Sequence, residues 1–118
     1  MIRLPSHVGD DTCSAAVVAD DLVFCSHHGG GFDSPDLAHQ TRAALESLRG
    51  TPDELGLTMA SVVQVNLYLR DVAHLRAACD VFPDFFADAA PARTTLTSEF
   101  ADPRCLVQVD AVAHRSSR

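Results

Sequence analysis

The chain has 118 residues, 47% of them hydrophobic and 21% charged, which fits one folded domain spanning residues 1–118. Nine basic against 16 acidic residues give a formal charge of −7, a balance that argues against nucleic acid and anionic membrane as partners. All nine basic residues are Arg, so Schiff-base, pyridoxal-anchoring and P-loop lysine chemistries are excluded together.

Ser14 to Val18 and Leu22 to Ser26 read as two strands joined at Ala19-Asp20-Asp21. After His27-His28 the run Gly29-Gly30-Gly31, and then Asp33-Ser34-Pro35, break the strand. Ser34 is the expected N-cap of a helix from Pro35 to about Leu48, with Pro35 at its first position and Asp36 at the favourable end of the dipole. Leu37, Thr41, Ala44, Leu45 and Leu48 form its apolar stripe. Gly50 is expected to end it, and Thr51-Pro52-Asp53-Glu54 to open a short second turn.

Val62 to Leu69 reads as a strand, with Val63, Val65, Leu67 and Leu69 on one face and Gln64, Asn66 and Tyr68 on the other. Asp71 caps a second helix whose stripe is Val72, Leu75, Cys79, Phe82 and Phe86, kinked or restarted at Pro83. Thr94 to Ser98 and Cys105 to Ala113 are the last strands, separated by the Asp102-Pro103-Arg104 turn. The order is β-β-α-β-α-β-β. Two helices cover one face of such a sheet, and the second face is too apolar to stay wet, so a homo-oligomer with clefts between copies is expected.

Cys13, Cys25, Cys79 and Cys105 include no C-x-x-C pair, so no structural zinc site is expected. Met1 to Pro5 has no apolar core of a signal peptide and no apolar run reaches membrane length, so the expected location is cytoplasmic, with reduced thiols. His27 and His28 lack a third metal ligand at any recognisable spacing. The His-His-Gly-Gly-Gly run is like an esterase oxyanion loop, yet no G-x-S-x-G elbow accompanies it.

Five segments, taken together and in order, resemble the Rid/YjgF family of small enamine/imine deaminases. They are Ser14–Ser26, Gln40–Leu48, Val62–Asp71, Pro91-Ala92-Arg93-Thr94 and Leu106–Ala113. The resemblance implies an α+β, chorismate-mutase-like fold: a mixed β-sheet with two helices packed on one face. It implies a homotrimer with pockets between subunits, no cofactor, and hydrolysis of imines such as those formed by 2-aminoacrylate to a keto acid and ammonia. It also brings an endoribonuclease label that the acidic charge does not support.

By the same resemblance Arg93 holds the substrate carboxylate, for which a permanently charged bidentate fork is suited. Gln108 stands where the family usually has the water-activating Glu; an amide can orient water but cannot take its proton. Ser26 matches a pocket serine, and His27 and His28 replace the typical Gly-Gln, so either imidazole could supply a base; strand alternation sends them to opposite sides. Cys13 falls on the family's usual Tyr and Cys79 on a frequent Asn. The catalytic candidates are therefore Arg93, Gln108 and His27, and the substrate-binding candidates Arg93, Ser26, His28 and Cys13. A non-catalytic binder of small carboxylates, or a pathway-specific tailoring protein, is the alternative.

Overall fold

A computed structural model describes residues 1–115. Its strands are β1 (Ile2–Pro5), β2 (Ser14–Ala19), β3 (Leu22–His28), β4 (Val62–Leu69), β5 (Ala92–Thr97) and β6 (Val107–His114). Its α-helices are α1 (Leu37–Glu54), α2 (Leu75–Cys79) and α3 (Pro83–Phe86). The strands form one six-stranded sheet in the order β1-β2-β3-β6-β4-β5. Of the neighbouring pairs, β4 and β5 alone run parallel, and the chain segment holding α2 and α3 is their crossover. This is the mixed sheet with helices on one face that the resemblance implies.

The β2–β3 hairpin turns at Asp20, whose φ of 53° is a left-handed conformation that Asp tolerates. The glycine run after β3 has a steric reason at one position. A Cβ on Gly31 would stand 2.9 Å from the His39 ring, and its φ is +71°.

Helix α1 differs from expectation at both ends. Its N-cap is Asp36, whose carboxylate accepts from the His39 amide at 3.0 Å; Ser34 instead caps the preceding turn, accepting from the Asp36 amide. The helix runs through Gly50 and Pro52 and stops at Leu55 before Gly56, which has φ +74°. Pro52 removes one helical hydrogen bond within a turn of the end, and continuing the helix keeps Thr51 and Pro52 buried beside Leu48. The predicted stripe of Leu37, Thr41, Ala44, Leu45 and Leu48 is the buried one, and it packs across β6 and β3.

The second helix is broken rather than continuous. Asp71 caps a single 3-10 turn, Val72–His74, before α2, and Pro83 restarts the chain as the first residue of α3. Val72 is consequently exposed and Cys79 half-buried, while Ala78, Val81, Phe82, Phe85 and Phe86 enter the core. Ala87, at φ 49°, turns the chain toward β5.

Alternation decides which side chains meet. On β6, Val107, Val109, Ala111 and Ala113 are buried toward the helices, and Gln108, Asp110 and Val112 take the other face. On β4, Val63 is the extra residue of a bulge, so Val62 rather than Val63 joins Val65, Leu67 and Leu69 in the core. The face away from the helices carries Leu22, Phe24 and Leu96, all more than a third exposed. Strand β1, which no sequence pattern announces, pairs with β2; it is only four residues long and ends in Pro5, which suits an edge strand.

Gln40 is the polar tie of this architecture. Fully buried, its Nε2 donates to the carbonyls of Ser34 and Arg104, and its Oε1 accepts from the Leu106 amide at 2.8 Å. Gln40→Leu strands three backbone groups and is expected to cost about 2–4 kcal/mol, read as a lower urea midpoint with an unchanged m-value.

Candidate functional site

Arg93 lies on the edge strand β5. Its register opposite Val65 sends the side chain to the helix side of the sheet. The guanidinium stands 5.4 Å from the centre of the Phe82 ring, a cation–π geometry that orients it without neutralising it. It lines a cavity of about 280 Å³ with Arg76, Cys79, Phe82, Pro83 and Phe86. Among the described residues no acid lines that cavity. Arg42, Arg49, Arg76 and Arg104 each have a carboxylate within 4.0 Å; among the described residues Arg93 has none. It is exposed in the single chain.

Gln108 and His27 meet in a second cavity, of about 410 Å³, together with Tyr68, Glu99, Phe100 and Asp110. Tyr68 stands directly opposite Gln108, and Asn66 opposite Asp110. Asp110 accepts from Asn66 Nδ2 at 2.8 Å and from the Tyr68 hydroxyl at 2.7 Å. The carboxylate raises the Tyr68 pKa above its ordinary value, first because the phenol keeps its hydrogen bond only while protonated.

The remaining candidates lie elsewhere. His28 is buried against α1, with Nδ1 2.8 Å from Ser47 Oγ and its ring stacked on His7 at 4.0 Å. Burial, then the nearby His7 and His27, lowers its pKa to about 4. The Ser26 hydroxyl donates to the Ala15 carbonyl at 3.1 Å. Cys13 is exposed in the β1–β2 loop, with Sγ 3.7 Å from the Asp10 carbonyl. Within one chain the structure therefore unites His27 with Gln108 and holds Arg93, His28 and Cys13 apart from them. The two imidazoles do take opposite sides, as alternation requires.

The residue pattern puts Asn66 and Tyr68 on one face of their strand, but it does not join them to Asp110. The missing information was the β4–β6 register, which no local pattern carries. Among the described residues no group of three His, Cys, Asp or Glu side chains is placed to hold a metal ion, and no helix is long and apolar enough to cross a membrane.

A mixed six-stranded sheet with helices on one face, and Arg93 at its parallel edge, define the chain as a small α+β protein. Residues 11–115 match the family model described as Endoribonuclease L-PSP, and the chain belongs to that family, which is the YjgF family. It is 31% identical to the mitochondrial protein mmf2 of Schizosaccharomyces pombe, over 83% of this chain and 84% of that one. A RutC family protein of Pyrococcus abyssi is 25% identical over 68% of this chain, and the match spans 63% of that relative's length. Among solved structures, a YjgF-family protein from Mycobacterium tuberculosis superposes with a TM-score of 0.86 at 26% identity, covering 96% of this chain and 98% of that one. One from Neisseria meningitidis gives 0.89 at 24% identity, covering 99% and 96%.

The His28 environment sets a pH limit on the fold. The unfolded chain binds a proton at His28 near pH 6.5 and the folded chain only near pH 4, so stability is full above the upper value and declines as pH falls between them. Urea midpoints should fall from about pH 7.5 to about pH 4.5, reporting a loss of unfolding free energy on the order of 3 kcal/mol at most. His28→Gln should flatten that slope.

Proposed function

We propose that the protein hydrolyses small imines or enamines bearing a carboxylate, of the 2-aminoacrylate type, to a keto acid and ammonia, acting as a homotrimer and without a cofactor. The observation that carries this reading is the unpaired Arg93 guanidinium in a cavity that no acid lines among the described residues. Such a group is a receptor for a small organic anion: its charge is permanent, its fork matches a carboxylate, and no neighbouring acid competes. The family resemblance supports the reaction class, and the chain's formal charge of −7 gives no support to the RNA cleavage that the family description names.

In this reading Arg93 fixes the substrate carboxylate, and Gln108 and His27 position water at the imine carbon from the other face of a neighbouring sheet. The exposed Leu22, Phe24 and Leu96 side chains and the open edge of β5 support association between copies, since an apolar sheet face and an unpaired edge both favour coverage. Gln108 favours one rival, a carboxylate-binding protein without turnover, because an amide cannot accept the water proton.

With iminopropanoate generated in situ by an amino-acid oxidase, the wild type should release ammonia faster than buffer, and Arg93→Ala should lose at least about 100-fold of kcat/KM. Equal rates for wild type, Arg93→Ala and buffer contradict the deaminase reading. Pyruvate binding by calorimetry, lost in Arg93→Ala and accompanied by no turnover in wild type, would select the binder.

A further inference from the structure

The Gln108 amide cannot itself receive the water proton, yet a proton acceptor stands beside it. Tyr68, directly across the β4–β6 ladder from Gln108, lines the same cavity, and its hydroxyl donates to Asp110 Oδ2 at 2.7 Å. The other carboxylate oxygen accepts from Asn66 Nδ2 at 2.8 Å, which fixes the orientation of the Asp110 side chain. All three are half-buried, so the network is sheltered but open to the cavity. A phenol that gives its proton to a carboxylate keeps its oxygen lone pairs free, and can receive a proton from water as it releases its own. Among the described residues, two other titratable groups face this cavity: His27 from β3 and Glu99 from the loop between β5 and β6.

We propose that Tyr68 and Asp110 form a proton relay that takes over from the carboxylate missing at position 108. The proposal rests on the imine-hydrolase reading above. Tyr68 is the catalytic residue, in contact with the attacking water; Asp110 acts through it, and Gln108 and Asn66 are positioning residues.

In the first step the water oxygen bonds to the carbon of the protonated imine, and the C=N π pair moves to nitrogen. One water proton passes to the Tyr68 oxygen while the Tyr68 proton passes to Asp110 Oδ2, which leaves a neutral carbinolamine and a protonated Asp110. The relay then runs backward, and the proton reaches the amine nitrogen through Tyr68. The C–N bond breaks with its electron pair going to nitrogen, and an oxygen lone pair closes the C=O bond. The departing ammonia takes the hydroxyl proton and leaves as ammonium. Net, one protonated imine and one water give one keto acid and one ammonium ion, with the relay restored.

The test is steady-state ammonia release by wild type, Tyr68→Phe, Asp110→Asn and the double variant Tyr68→Phe/Gln108→Glu, with pyruvate affinity measured for each. Tyr68→Phe should lower kcat by about 100-fold or more with pyruvate affinity unchanged, because general-base help and not carboxylate binding is removed. Asp110→Asn should abolish the acid limb of the pH–rate profile. Gln108→Glu should restore kcat in the Tyr68→Phe background, since a carboxylate there takes the water proton directly, an outcome that lost packing would not give. A wild-type rate that Tyr68→Phe leaves intact overturns the relay alone. So does an acid limb that survives Asp110→Asn and disappears in His27→Gln. A wild-type rate equal to buffer overturns the deaminase reading, and the relay with it.

Discussion

Period-two alternation across β5, β4 and β6 is the constraint on which the rest of this structure depends. Arg93 pairs with Val65, and Val65 faces the helices; Gln108 pairs with Tyr68, and both face away from them. A sheet cannot bring these two sets together, because successive side chains on a strand stand on opposite faces. A register slip of one residue would exchange the faces but would also expose Val107, Val109 and Ala111, which are buried toward the helices. The core thus fixes the separation of Arg93 from Gln108 and Tyr68. For the proposed reaction, a second copy of the chain has to join them.

The same sheet explains why a copy would bind. Its helix side is closed by α1 and the short helices of the crossover, with Leu45, Leu48, Leu67 and Val109 fully buried. Its other side carries Leu22, Phe24 and Leu96 in the open beside a polar strip of Asn66, Tyr68, Gln108 and Asp110. At roughly 25 cal/mol per Å² of apolar surface, covering such side chains contributes a few kcal/mol per contact face, and the polar strip would be left as a lined cavity. Binding and catalysis would then both depend on that face.

The sequence made the larger architecture legible because its signals were strong and local. The β2–β3 hairpin, the α1 stripe and the alternation of β6 follow from residue type and period. The failures have physical causes. Gly50 and Pro52 are helix breakers by propensity, yet packing of Thr51 and Pro52 carries α1 past them. Val63 leaves the core face because a bulge inserts it, and a bulge leaves no mark in composition. Gln40 lies outside the apolar stripe read for α1, yet it ties three backbone groups across the core. At the site, the resemblance singled out Arg93 and Gln108, while the Tyr68–Asp110 bond became visible only with the register between two strands some forty residues apart.

The most direct test of the shared site is complementation between two inactive variants. Arg93→Ala keeps the water-handling face, and Tyr68→Phe keeps the guanidinium. Unfolding a one-to-one mixture and refolding it together should recover about a quarter of the wild-type ammonia-release rate if each site draws the two residues from different protomers of a ring. A mixture no more active than the two variants refolded separately would contradict a site built across protomers.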